Sequence, residues 1–137
     1  MRIVFDTNVL IAAFVSRGLC HTLFEHCSIK HDIVTSDFIL NEFREKLVTR
    51  FKQSAETANE ARVLLRSQLI RVSPVGLPVP VSRDPDDDMV IATAIAGACE
   101  FIVTGDKDLL VLELYGQIRI LSPRDFVDAE MAGGAQF

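Results

Sequence analysis

The chain is predicted to fold as a three-layer α/β/α domain with a central, mainly parallel sheet. Short apolar runs that read as buried strands alternate along the whole chain with longer segments of helical periodicity, the pattern of βα units wound into one sheet. The length, 137 residues, suits a single domain with its own core. Carboxylates recur just beyond the apolar runs, at the sheet edge where parallel α/β folds bind their ligands. Residues 1–130 are expected to form the one domain and residues 131–137 a frayed tail.

The elements follow in order. Residues 2–6 form the first strand, and Thr7 or Asn8 can cap a helix through Phe14. Gly18 interrupts, and Leu19–Cys27 reads as a second helix with Leu19, Leu23 and Cys27 on one face. A strand at 32–35 precedes a helix capped by Ser36 or Asp37 and running to about Phe51, with Ile39, Phe43 and Leu47 at spacings of four. Residues 54–68 form another helix and a strand lies near 69–73. The segment 73–80, with three prolines and Gly76, is a stiff connection, since composition does not change across it. Then come an Ala-rich helix at 87–98, a buried strand at 100–104, a helix at 108–115 ended by Gly116, a last strand at 117–121 and a final helix from Pro123.

Composition narrows the function classes. The hydrophobic share is 49% and the charged share 24%, ordinary for a globular α/β protein. A net charge of −5 argues against coating nucleic acid by bulk positive charge, but leaves room for a nucleic-acid enzyme with an acidic metal site. No stretch reaches the roughly 20 apolar residues of a membrane span, and Val9–Val15 lacks the flanks and cleavage site of a signal peptide. A cytoplasmic location is expected, with Cys20, Cys27 and Cys99 as reduced core thiols.

Four acids carry the functional reading: Asp6, Glu42, Asp88 and Asp106. Asp6 could merely cap the following helix. Asn8 rules out an Asp-x-Asp phosphatase motif there, and the adjacent acids of a receiver domain are missing. Glu42 could pair with Lys46, a surface interaction of only about 0.2–0.5 kcal/mol; its spacing from Phe38 and Ile39 nevertheless turns it toward the sheet edge. The run Asp84-Pro85-Asp86-Asp87-Asp88 is the sharpest signal. One or two acids satisfy a helix N-terminus. Two like charges about 4 Å apart repel by roughly 4 kcal/mol at an effective dielectric near 20, and a divalent ion removes that penalty. Asp88 is the expected inward acid because Ile91, Ala92 and Ile95 continue its face. In Thr104-Gly105-Asp106-Lys107-Asp108, either Asp106 or Asp108 could be the fourth member. Oxygen donors without a His/Cys set suit Mg²⁺ or Mn²⁺, ions that support phosphodiester hydrolysis.

These residues resemble the PIN-domain nucleases, and within them the VapC-like toxins of bacterial toxin–antitoxin modules. Asp6-Thr7-Asn8-Val9-Leu10-Ile11 is similar to the family's opening motif, Glu42 to its helix acid, Asp84-Pro-Asp-Asp-Asp88-x-x-Ile-Ala92 to its third motif and Thr104-Gly-Asp106-Lys-Asp108 to its fourth. The resemblance implies a Mg²⁺/Mn²⁺-dependent endoribonuclease, control by a cognate antitoxin, and a homodimer. On that reading Asp6, Asp88 and Asp106 bind the metal, with Asp108 as an alternative. Glu42 completes the cage and orients water, and Thr7, Asn8 and Thr104 hold the ligands. The alternative is a degenerate PIN module that binds RNA or a protein without cleaving.

Two lesser patterns remain. Arg44, Lys46, Arg50 and Lys52 form a basic stripe that is either a solvated helix face or an RNA-backbone track. Cys20-His21, His26-Cys27 and His31 invite a zinc reading, but on one helix they face different ways, and no tetrahedral site is expected.

Overall fold

The computed structural model describes residues 1–137. Strand β1 (Arg2–Phe5) leads into helices α1 (Thr7–Val15) and α2 (Leu19–Lys30), and β2 (Asp32–Ser36) into α3 (Asp37–Thr49) and α4 (Ala55–Gln68). There follow β3 (Ile70–Val72), α5 (Pro85–Ala96), β4 (Phe101–Val103), α6 (Lys107–Leu110), β5 (Leu114–Tyr115), β6 (Ile118–Leu121) and α7 (Pro123–Ala132). The strands form one sheet in the order β3-β2-β1-β4-β6-β5. Every pairing is parallel except that of β5 with β6.

That order dictates the layers. Right-handed crossovers from β1 to β2 and from β2 to β3 step the same way and so place α1–α4 on one face. The step from β3 back across to β4 reverses direction and carries α5 to the other face, where it packs on β1, β2 and β4. The sheet is thus enclosed as an α/β/α sandwich. Strands covered on both sides must be apolar throughout: Ile3, Val4, Phe5, Val34, Ile102 and Val103 are all buried. Phe43 and Leu47 of α3, Leu23 of α2 and Ile91 of α5 close over them as one core. No single helix is long and apolar enough to cross a membrane.

Helix α2 runs three residues past its expected end at Cys27, and two further elements depart from expectation. The helix over 108–115 shrinks to Lys107–Leu110, and Leu114–Tyr115 becomes an antiparallel edge strand. Leu109 is buried, but Val111 lies 75% exposed, so an extended helix would bury little more. Gly116 instead takes φ +59 at the first position of a two-residue hairpin loop, where glycine is favoured. The Ala-rich helix starts at Pro85, two residues early, because Asp84 caps it by accepting the Asp86 N–H at 2.9 Å.

α5 is held close to the sheet at both ends of its contact. The Ser36 and Thr93 hydroxyls are bonded at 2.9 Å, and Thr93 donates to the Met89 carbonyl. At its end, the Gly97 carbonyl accepts from Arg2 Nε at 2.6 Å. A Cβ on Gly97 would stand 2.6 Å from Val34 Cγ1, a fully buried side chain with no room to retreat. Gly97→Ala is therefore expected to destabilise the fold by about 1–3 kcal/mol through overpacking. Urea unfolding would measure this, and a midpoint unchanged from the parent would contradict the close approach.

Candidate metal centre

The register of β1 on β4 builds the first part of the site. Phe5 pairs with Val103, so the next residues, Asp6 and Thr104, lie side by side where both strands end. The Asp6 N–H donates to the Val103 carbonyl at 2.9 Å, continuing the ladder by one bond. The Asp6 carboxylate then accepts from the Thr104 hydroxyl at 2.7 Å and from the Thr7 N–H at 2.8 Å. Asp6 is 6% exposed. Burial raises its pKa above the usual value, the Thr104 and Thr7 hydrogen bonds oppose that, and the charges of Glu42 and Asp106 add to the rise. Thr7, whose backbone supplies one of these bonds, keeps its own hydroxyl buried without a partner.

The N-terminus of α5 brings the second part, and here the inward acid differs from the expected one. The Asp88 carboxylate accepts the Val81 N–H at 3.2 Å and the Ser82 N–H at 2.8 Å, which fastens the preceding loop. Asp87 is the acid turned inward, 5% exposed, with the Ser82 hydroxyl 3.1 Å from its Oδ2. The physical reason is the face on which the helix is buried. Val90 and Ala94, three and seven residues beyond Asp87, are buried. Ile91 and Ala92, which follow Asp88, are buried too, but Ile95, seven residues beyond Asp88, is 49% exposed, so the buried face is centred nearer Asp87.

The third part is the turn after β4. The Asp106 N–H donates to Thr104 Oγ1 at 3.0 Å, and Asp106 in turn caps the short α6 by accepting the Asp108 N–H at 2.9 Å. Carboxylate oxygens of Asp87, Asp106 and Asp108 all lie within 4.8 Å of one another. Both candidates for the fourth acid are thus present. Asp108 also pairs with Arg83 at 2.7 Å, on the exposed side of the cluster. Burial pushes the Asp87 carboxyl up to about 7, and the neighbouring Asp106 reinforces this by its charge and by a hydrogen bond. Glu42 is near enough for Asp6 to feel its charge and is flanked by Lys46 at 3.8 Å. Lys46 also donates to Asn8 Oδ1 at 3.1 Å, so Asn8 faces the basic stripe at this rim. Of the other basic candidates, Arg44 is engaged by Asn59, and Arg50, the C-cap of α3, is exposed.

The donor set fits a hard divalent cation. It consists of oxygens alone, with no His or Cys among them, and the acids are held together against their own repulsion. Without a cation, the burial of Asp87, reinforced by repulsion from Asp106, makes stability depend on pH. The Asp87 carboxyl rises from 3.8 to about 7 on folding, so its neutral form favours the native state. That contribution is complete below the unfolded value and disappears as pH climbs through the folded one. Metal-free protein is therefore expected to lose unfolding free energy between about pH 4 and 7, and Asp87→Asn to flatten this slope and to be the more stable protein at pH 8. Denaturant titrations across that range in EDTA are the check; parallel curves for the two proteins would refute the assignment. Thr104→Val is expected to cost about 1.5–3 kcal/mol, the worth of a hydrogen bond to a charged group, in the same assay.

Comparisons with known proteins bear on the family and the fold. A family model described as PIN domain matches residues 2–108. No functionally curated protein is a significant match. Among solved structures, VapBC-1 from nontypeable Haemophilus influenzae aligns with a TM-score of 0.64 at 15% identity, over 90% of this chain and 99% of that one. VapBC2 from Rickettsia felis, bound to a DNA fragment from its promoter, gives 0.62 at 14%, over 88% and 97%. FitAcB from Neisseria gonorrhoeae gives 0.57 at 14%, over 89% and 98%. At such identities the likeness establishes the fold, while the family model covers most of the sequence: the chain belongs to the PIN-domain family.

Proposed function

We propose that this chain is a cytoplasmic, metal-dependent endoribonuclease acting as the toxin of a toxin–antitoxin pair. The observation that carries the chemistry is the knot of Asp87, Asp106 and Asp108 oxygens within 4.8 Å, beside a buried Asp6. Asp6, Asp87 and Asp106 would hold Mg²⁺ or Mn²⁺, with Asp108 at the exposed side. When bound, such an ion lowers the pKa of a coordinated water and neutralises charge on phosphoryl oxygens.

The protein's own groups do the rest. Thr104 and the Thr7 N–H hold both Asp6 oxygens, which fixes the carboxylate's rotation before any ligand arrives. Glu42 is free of backbone duties and stands at the rim, suited to accept a proton from the attacking water. Lys46 and Arg83 flank the acids from two sides, and Arg83 is 86% exposed while anchored to Asp108. Each is a phosphate contact for a single strand laid across the edge, and Arg44 and Arg50 extend the track along α3. Asp88 serves the site indirectly by fastening the 81–82 loop that carries Ser82 and Arg83.

The partner reading rests on the fold likeness to VapBC assemblies and on an apolar groove between α1, α2 and α4. This groove encloses about 610 Å³ and is lined by Leu10, Phe14, Phe24, Leu64 and Leu65 among others. Phe14 and Leu64 are 49% and 57% exposed there. An apolar surface of this kind suits burial by an antitoxin segment.

Cleavage of a generic single-stranded RNA should require Mg²⁺ or Mn²⁺ and stop with EDTA. Asp6→Asn, Asp87→Asn and Asp106→Asn are each expected to reduce it more than ~100-fold, since even outer groups of metal sites are worth 10–100-fold. Asp88→Asn should cost less than about 10-fold. Equal losses for Asp87→Asn and Asp88→Asn would defeat the assignment of roles. RNA retained but never cut, with metal present, would make the chain a binding module.

A further inference from the structure

A second cluster of ligating side chains lies at the opposite end of the sheet. His31 caps the end of α2 and immediately precedes β2, so it stands where the parallel strands begin, while the acids stand where they end. His26 is on α2, and Glu130 comes from the last turn of α7, which runs back across the sheet and packs against α2. His26 Nε2 is 3.1 Å from Glu130 Oε1, and His31 Nε2 bonds the same oxygen. The three donor atoms lie within 4.8 Å of one another. We propose that His26, His31 and Glu130 form a second metal site, selective for a borderline transition ion such as Zn²⁺.

Geometry and chemistry both favour this occupant. Tetrahedral zinc with bonds of about 2.0–2.1 Å sets its ligands roughly 3.3 Å apart, close to the spacing already present between His26 and Glu130. The His31–Glu130 pair, now in direct hydrogen bond to the same oxygen, would have to open to admit the ion. Two imidazoles with one carboxylate form a donor set that suits zinc, nickel or cobalt and gives little to Mg²⁺. The side chains are preorganised: both histidines are 12% exposed and Glu130 17%. The Phe126 ring stands edge-on to His31. The Phe137 ring lies 4.5 Å from that of His26 and covers it from the C-terminal side. His31 Nδ1 lies 3.3 Å from the Met1 ammonium, a donor, so this contact belongs to the metal-free ring; ligation through Nε2 would put the proton on Nδ1 and the Met1 amino group would have to move aside. With three protein ligands, a water takes the fourth position.

The ion would tie α7 to α2 and the start of β2, far from the reacting phosphate, so its effect is on stability. Ligation needs the lone pair of each Nε2, so the ion would replace the two hydrogen bonds these atoms now make to Glu130. The proposal is independent of the nuclease reading, because none of its residues belongs to the acidic cluster.

The test is a Zn²⁺ titration of EDTA-stripped protein by calorimetry, in excess Mg²⁺ to occupy the hard-oxygen site. One equivalent should bind to the parent and equally to Asp87→Asn/Asp106→Asn. His31→Asn and Glu130→Gln should each weaken it at least ~100-fold, more than the loss of an outer-sphere partner. Glu130→Gln retains an acceptor for both imidazoles, so its fold is the better preserved of the two. Co²⁺ loaded into the parent should show the visible absorption of a four-coordinate, imidazole-ligated ion, a result that needs no variant. No such absorption, or zinc bound equally by His31→Asn, or zinc lost with the acidic residues, would overturn the proposal and leave a hydrogen-bonded clamp between α2 and α7.

Discussion

The register of β1 against β4 is the constraint on which the site depends. Because the two strands are parallel and buried on both faces, neither can slip without dragging apolar side chains into new layers. With Phe5 opposite Val103, the first polar residue after each strand lands beside the other, and a single hydroxyl–carboxylate bond of 2.7 Å joins them. Everything else hangs from that pair. Thr104 passes its oxygen on to the Asp106 N–H, Asp106 passes its own to Asp108, and the turn is thereby shaped into a cap with its carboxylates gathered. A relay of three hydrogen bonds, the last of them the N-cap of α6, thus gathers the carboxylates of this turn beside Asp6.

Gathering acids this tightly works against the fold that does it. Burial and mutual repulsion hold the Asp87 carboxyl near 7 and raise that of Asp6. The core on both faces of the sheet supplies the stability that offsets this, and the surrounding donors limit it: Ser82 to Asp87, Thr104 and Thr7 to Asp6, Arg83 to Asp108. None of these is a full counter-charge at the centre, for Arg83 and Lys46 touch only the rim. Such an imbalance is what a site for an exchangeable cation requires, since a cluster already neutralised by the protein would have no affinity left over.

Much of this was legible in the sequence because buried parallel strands announce themselves as apolar runs, and the acids just beyond them inherit one edge by topology alone. What was not legible came down to rotation and to long-range packing. Neighbouring residues on a helix differ by about 100°, so choosing between Asp87 and Asp88 needed the buried face of α5. Ile95 pointed to Asp88 as an apolar residue, yet it is half exposed. The apolar run Leu109–Leu112 looked helical for a similar reason. Its continuation was decided by Gly116, whose left-handed φ turns the chain into a hairpin with β6.

The histidines show the same limit from the other side. Read along one helix, His21, His26 and His31 diverge, and His21 indeed binds elsewhere, to the Ala13 carbonyl and Glu25. His26 and His31 converge only because α2 ends at His31, which leaves the helical path, and because α7 delivers Glu130 from 99 residues further on. Two edges of one sheet therefore carry opposite donor chemistry. Where the strands end, short acidic side chains on caps and turns make an all-oxygen cluster. Where they begin, helix ends return to the sheet and bring imidazoles against one carboxylate. Hard and borderline ions would be sorted between them by ligand type, without competition for a common site.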